Sequence, residues 1–258
     1  MTLLWVGLIV IVPLSALVAS ALKLGPIGLW QSLMQARVMH ALGLSFGAAL
    51  IASVIDLPLG VLLAFVLVRR RFPGRLLLDS LMDLPFALPT AVAGITLVTL
   101  FAPNGWVGAP LSSLGITLAY NQAGILIALV FIGLPFMVRT VQPVLIDQPV
   151  DVEEAASTLG ATRFQTLRRV LLPAIAPSLV AGFGLAFARS LGEYGSVIFI
   201  AGNLPNKTEI APLLIVTRLL EYDDNGAAAI GFAMLVGALL VLILLGFVSR
   251  RLRPAGFR

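Results

Sequence analysis

Residues 149–173 read Pro-Val-Asp-Val-Glu-Glu-Ala-Ala-Ser-Thr-Leu-Gly-Ala-Thr-Arg-Phe-Gln-Thr-Leu-Arg-Arg-Val-Leu-Leu-Pro. The stretch is polar and carries helix-capping signals at two points, inside a chain that is otherwise mostly lipid-soluble. Asp151 and Glu154 have the spacing of a capping box, in which the Asp151 side chain accepts from exposed N–H groups. Glu153 and Glu154 stand in the first turn, where the helix dipole favours negative charge. Ala155 and Ala156 keep one surface thin, so that another backbone can approach. Gly160 suits the left-handed residue that ends a helix. Thr162 and Gln165 then repeat the box and open a second short helix through Arg168 and Arg169. Pro173 is expected to stop it, because proline disfavours helical geometry in the residue before it. The predicted shape is a helix–turn–helix outside the membrane, offered to something on the aqueous side. The plainer alternatives are an ordinary connecting loop or an amphipathic helix resting on lipid. The paired carboxylates fit the second of these badly, since anionic lipid repels them.

The rest of the chain sets this segment in a membrane protein. Of 258 residues, 59% are hydrophobic and 11% charged, with a mean hydropathy of +1.05; soluble domains carry about 25% charged residues. Cysteine is absent, which excludes disulfides, thiolate metal sites and cysteine nucleophiles. The single His40 cannot build a histidine metal cluster and reads as a juxtamembrane residue. The net charge of +5 comes from short arginine clusters beside apolar runs. That is the pattern of the positive-inside rule and not of a nucleic-acid-binding stripe.

Crossing a bilayer takes about 20 apolar residues, and six runs qualify: roughly 3–22, 41–68, 82–102, 121–146, 175–201 and 227–248. With both termini in the cytoplasm, twelve basic residues fall on that side: Arg69, Arg70, Arg71 and Arg75; Arg139; Arg163, Arg168 and Arg169; and Arg250, Arg251, Arg253 and Arg258. Lys23, Arg37, Lys207 and Arg218 fall on the other. This bias places 149–173 in the cytoplasm. Ala19-Ser20-Ala21 resembles a signal-peptide cleavage site, but the run lacks a basic n-region and is too long, so it is read as a retained helix; a start upstream of Met1 stays open. The outward loop 103–120 is uncharged, with Trp106 and Tyr120 as interfacial anchors. The outward segment 202–226 is the most polar and the best place for an external partner, although a merely solvated loop fits the same residues. Pro85, Pro89 and Pro135 are expected to kink their helices.

Glu154, Ala155, Ala156, Gly160, Val170, Leu172 and Pro173 match the signature of importer-type ABC transporter permeases: Glu-Ala-Ala, three residues, Gly, nine residues, an aliphatic residue, one residue, Leu-Pro. Val170 stands where isoleucine is usual. The resemblance implies an all-α membrane protein, the type I ABC importer transmembrane domain. It would be a single permease domain over 1–258, with a core at about 40–250 and a coupling segment at 149–173. Ala155, Ala156 and Gly160 would serve close docking to an ATP-binding subunit, and Glu154 a polar contact. No Walker A loop accompanies Lys23 or Lys207, so no cofactor is expected in this chain; ATP and magnesium would be held by the partner ATPase.

Two stretches, 83–94 (Asp-Leu-Pro-Phe-Ala-Leu-Pro-Thr-Ala-Val-Ala-Gly) and 189–195 (Arg-Ser-Leu-Gly-Glu-Tyr-Gly), resemble the oxyanion branch of sulfate/thiosulfate and molybdate permeases. Residues 202–216 look most like the T-type (also called U-type) sulfate/thiosulfate subunit. That likeness implies a heterodimer with a W-type permease, two copies of the ATP-binding subunit, a periplasmic sulfate/thiosulfate-binding protein and the bacterial inner membrane. It also implies alternating access and no nucleic acid. A homodimeric molybdate or tungstate permease keeps the class and changes the solute. A self-sufficient secondary transporter would need internal inverted repeats, and none is evident. A membrane-embedded enzyme would need clustered catalytic groups, and the spans offer only Asp56, Arg189 and Glu193.

Those three have two readings. Arg189 and Glu193, four apart and so expected on one helix face, are either part of an anion path or a structural ion pair that keeps both charges tolerable in the membrane. Asp56, two residues before Pro58, either pairs with Arg189 or caps a kink.

Overall fold

The computed structural model describes Met1, Trp5 and residues 7–252. The start of the first apolar run and the arginines Arg253 and Arg258 lie outside the described residues. Within them every regular element is helical, as an apolar chain in lipid requires: backbone N–H and C=O groups must be satisfied inside the segment itself. In chain order the helices are α1 (Gly7–Leu22), α2 (Gly25–Leu33), α3 (Ala36–Arg69), α4 (Arg75–Ala87), α5 (Thr90–Phe101), α6 (Gly108–Ser112), α7 (Gln122–Asp147), α8 (Val150–Thr158), α9 (Arg163–Leu191), α10 (Val197–Ile200), α11 (Ala211–Leu220) and α12 (Asp224–Leu252).

Four of these, α3, α7, α9 and α12, are each long and apolar enough to cross a membrane, and counting two broken pairs as single spans gives six. The expected spans are therefore present, with altered ends. The first run continues past Leu22 into α2 after a turn of 93°, where Gly25 takes a φ of +66°. The third run breaks between α4 and α5, and Leu88 adopts extended backbone with ψ 136°; Pro89 imposes this on the residue before it. Pro85 and Pro135, by contrast, sit inside continuous helices. The fifth run, expected to reach 201, stops as a helix at Leu191.

The chain divides into two compact units, each assembled from three separate stretches. One comprises Met1–Ala48, Thr90–Ile125 and Gly192–Leu240. Its apolar centre is Val38, Ala41, Ala211, Leu214 and Ile230. Polar locks hold its edge: Arg37 makes a bidentate pair with Glu209, both bonds at 2.7 Å. Ser45 Oγ accepts from the Ala211 N–H at 2.7 Å, satisfying a donor at the open N-terminus of α11. Arg218 donates to Asp223 at 3.1 Å and to Gln35 at 2.6 Å. Much of the charge in 202–226 is thus paired within the unit. Lys207, Glu221 and Asp224 remain exposed.

The other unit comprises Ala49–Pro89, Leu126–Leu191 and Val241–Arg258. Its core is Ala64, Leu67, Met137, Val138, Val141, Leu145 and Ile175. Gly60 of α3 and Gly182 of α9 both face Met137, and a Cβ on either would collide with that side chain. Small residues at these two points let three helices close on one methionine. The 149–173 segment belongs wholly to this unit.

Candidate functional site

The first half of the segment is α8, but its N-terminus is not built as expected. The N-cap residue is Pro149, with φ −61° and ψ 135° and no side-chain cap. Asp151 therefore sits inside the first turn instead of capping it. The proline ring fixes the entry geometry two residues earlier than the Asp151–Glu154 spacing suggested. Glu153 is used for something else: Arg69, at the end of α3, donates from Nε to Glu153 Oε1 at 2.8 Å and from Nη2 to the Gln148 carbonyl at 3.0 Å. An arginine that read as an orientation signal is a clamp on the segment.

The turn follows the expected chemistry. Gly160 has a φ of +83°. Its N–H donates to the Ser157 carbonyl at 2.9 Å and the Ala161 N–H to the Ala156 carbonyl at 3.0 Å, the paired bonds of a Schellman motif. Thr162 and Gln165 form the capping box in full, with Thr162 N–H to Gln165 Oε1 at 2.8 Å and Gln165 N–H to Thr162 Oγ1 at 3.3 Å. The result is a surface turn on which Glu154, Ala155 and Gly160 are exposed and Ala156 half-buried. Leu159, 88% exposed, projects from its tip. Sequence reasoning passed over Leu159; the signal was an apolar residue immediately before the helix-ending glycine.

The second half does not end at Pro173. Residues 163–191 run as one continuous helix, α9, widened over Leu167–Leu171 into a π turn in which the Leu172 N–H reaches back to the Leu167 carbonyl. Proline in a helix presses on the carbonyl four residues earlier and removes a donor. The wider turn just before it relieves the crowding, so the helix passes through. Leu171 is buried, Leu172 packs against the apolar core and Pro173 is exposed. The signature residues thus fall into two places: 154–160 at the exposed turn, and Leu172 and Pro173 where α9 enters its apolar part.

The charged residues of the spans are also placed. Arg189 is half-buried in the last turn of α9. Glu193 lies beyond the helix end, so the two do not share a helix face. Glu193 is 2% exposed and its Oε1 accepts from the N–H and the Oγ of Ser196, both at 2.9 Å, just before α10 begins. Asp56 is fully buried, and neither of its oxygens has a hydrogen-bond partner among the described residues. Of the two readings of Asp56, the pairing with Arg189 is not formed. The carboxyl sits instead against Gly133, where an added Cβ would collide with it and would lie 3.2 Å from Ser190 Oγ. Burying an ionisable group costs more than burying a neutral polar one. Asp56→Asn, which keeps the volume without an ionisable group, is therefore expected to leave uptake unchanged and the melting temperature of the purified protein equal or higher. A clear loss of either would assign Asp56 a role that needs the carboxyl.

Arg139, also read as an orientation signal, is bound on all sides. Its Nε and Nη2 hold the Asp83 carboxylate at 2.8 and 2.7 Å. Nη1 donates to Asp79 Oδ1 at 2.7 Å and Gln142 Oε1 at 2.6 Å, and Nη2 to the Asp79 carbonyl at 2.9 Å. The network ties α4 to α7, beside the edge-to-face pair of Phe86 and Phe136 at 4.9 Å.

Comparison with known proteins fits this geometry. Residues 56–254 match the family described as binding-protein-dependent transport system inner membrane component. The chain is 48% identical over 250 residues to the sulfate transport system permease protein CysT of Salmonella typhimurium, covering 97% of this chain and 90% of that protein. It is 42% identical over 249 residues to the protein of the same name from Synechocystis, covering 96% and 87%. In fold it resembles a chain of a bacterial ABC transporter involved in the import of the acidic polysaccharide alginate, with a TM-score of 0.78 at 19% identity over 98% of this chain and 93% of that one. It also resembles a chain of the MetNI methionine ABC transporter in an inward-facing conformation, with a TM-score of 0.63 at 19% identity, covering 84% and 94%. The fold is that of a type I ABC importer transmembrane domain, and the chain belongs to the family of binding-protein-dependent transport system inner membrane components.

Proposed function

We propose that this chain is a permease subunit of an ATP-driven importer of sulfate and thiosulfate, working by alternating access in the inner membrane with both termini in the cytoplasm. The observation that carries the mechanism is the exposed, doubly fixed turn at 154–160, in a chain nearly half identical to sulfate permeases along most of its length. A rigid small-residue turn with a projecting Leu159 suits insertion into a groove of a cytoplasmic ATPase. The Arg69–Glu153 clamp would carry the resulting push into α3, and the continuous α9 would carry it toward Arg189. The chain itself would hydrolyse nothing; two ATP-binding subunits would bind ATP and magnesium. A W-type permease would complete a heterodimer, and a periplasmic binding protein would deliver the anion. Glu154, Ala155, Ala156 and Gly160 would make the ATPase contact, with Leu172 and Pro173 shaping the helix behind it. Glu193 would organise the backbone near the solute, with Arg189 along the anion path.

Growth decides the solute. A strain lacking its sulfate permeases, given this gene with its partner permease, ATPase and binding protein, is expected to grow on sulfate as sole sulfur source and to take up labelled sulfate in competition with thiosulfate. Failure to grow, with repair of a molybdenum-enzyme defect instead, would reassign it as a molybdate permease. Uptake by this chain alone would overturn the ATP-driven mechanism.

A further inference from the structure

A cavity of about 920 Å³ opens between the last turns of α3 and the inner side of the 149–173 segment. Its size lies in the range of small-molecule sites. The floor is apolar: Leu57, Val61 and Phe65 come from α3, and Phe164 and Leu171 from α9. Three arginines are among its lining residues, Arg69, Arg70 and Arg163. Arg69 is neutralised by Glu153. Arg70 and Arg163 are exposed, and neither has an ion pair or side-chain hydrogen bond among the described residues. The groove therefore carries two uncompensated positive charges above a hydrophobic wall. It also continues the apolar surface of a membrane span, for Leu62, which lines it, is 58% exposed. An apolar groove beside an exposed span surface, with two exposed arginines among its lining residues, is complementary to an amphiphile with an anionic headgroup.

We propose that this groove binds an anionic phospholipid of the inner leaflet, with the headgroup phosphate between Arg70 and Arg163 and an acyl chain along Val61, Phe65 and Phe164. Two bare cations give the headgroup its selectivity, since each basic group near an anionic lipid contributes independently. The apolar floor gives retention that a free phosphate could not have, because each buried methylene adds to binding. The lipid would lie behind the coupling turn, wedged between it and α3. Local lipid charge would then set how firmly the turn is seated. The inference rests on the cytoplasmic placement of 149–173 proposed above, through which the leaflet is assigned.

The test is native mass spectrometry of the assembled transporter, titrated with phosphatidylglycerol or phosphatidylcholine. Phosphatidylglycerol is expected to be retained preferentially. The doubly substituted R70Q/R163Q protein is expected to lose that preference by roughly tenfold to thirtyfold, the effect of two basic groups. The R168Q/R169Q protein loses the same charge at positions outside the groove, and its preference should be unchanged. Equal retention of both lipids, or an R70Q/R163Q preference like that of the wild type, overturns the proposal. Displacement of phosphatidylglycerol by millimolar inorganic phosphate would mark a phosphate site instead. Retention by the permease alone that vanishes in the assembled transporter would mean that a protein segment occupies the groove, and would overturn it equally. Orientation is read separately. The chain has no native cysteine, so Ser157→Cys can be labelled by a membrane-impermeant maleimide, expected only in inverted vesicles. Labelling from the outside would sink the cytoplasmic reading without altering the lipid titration in detergent.

Discussion

Gly160→Leu is expected to cut uptake by at least about tenfold and to strip the ATPase from the purified permease, while the chain still inserts in the membrane at its usual level. The argument is local. Gly160 holds a φ of +83°, and an L-residue forced into the left-handed region costs about 1–2 kcal/mol. Nothing lies within 4 Å of a Cβ added there, so no packing inside the protein is disturbed and the fold should survive. The turn either straightens, losing the Schellman bonds from Gly160 and Ala161, or keeps its shape and carries a bulky side chain into the space beside Leu159 where a partner must approach. Either outcome misplaces the docking surface, and about 1.4 kcal/mol is already tenfold in affinity. Gly160→Asn separates the two causes, since asparagine tolerates left-handed backbone and is compact. It should retain most of the association. Co-purification of the ATPase with tagged permease is the readout, with uptake alongside. Normal values of both for Gly160→Leu would remove the turn from the coupling mechanism.

The same turn shows which features could be read from the chain and which could not. Gly160 and the Thr162–Gln165 box were legible because their chemistry is confined to a few consecutive residues. The six apolar spans were legible because lipid demands their length. Asp151 misled because two start signals competed and Pro149, which fixes its own φ, set the boundary. Pro173 misled because a helix can absorb a proline through a π turn, and the residues that do so, Leu167–Leu171, carry no distinctive signature. The arginines were the largest gap. Arg37 pairs with Glu209 across 172 residues and Arg139 with Asp83 across 56. Charge counting alone gives each a side of the membrane and no partner. The Arg189–Glu193 spacing promised a shared helix face, but the helix ends at Leu191, and Glu193 accepts from Ser196 beyond that end. Local turn chemistry survives the passage to three dimensions; pairing between distant charges has to be seen.

Of those distant pairings the Arg139 network should have the largest effect when broken. Arg139→Ala is expected to lower the amount of folded permease severalfold and to bring down the melting temperature of what remains. All five guanidinium N–H groups have acceptors: both oxygens of Asp83, the side chain and backbone carbonyl of Asp79, and Gln142. Truncation leaves two carboxylates one turn apart on α4 with no cation from α7. Breaking a buried pair costs about 3–5 kcal/mol, but Arg139, Asp79 and Asp83 are 29%, 36% and 55% exposed, so solvent screening brings the loss well below that range. Arg139→Lys should rescue only part, since an ammonium point charge cannot serve the forked set of acceptors that a guanidinium does. The decisive comparison adds Asp79→Asn and Asp83→Asn to Arg139→Ala. If the damage comes from stranded charge, removing both carboxylates should restore much of the lost stability, although three hydrogen-bonding groups have been altered instead of one. A single variant as stable as the wild type would make the network dispensable. A triple variant no better than the single would shift the cause from stranded charge to the lost bonding geometry between α4 and α7.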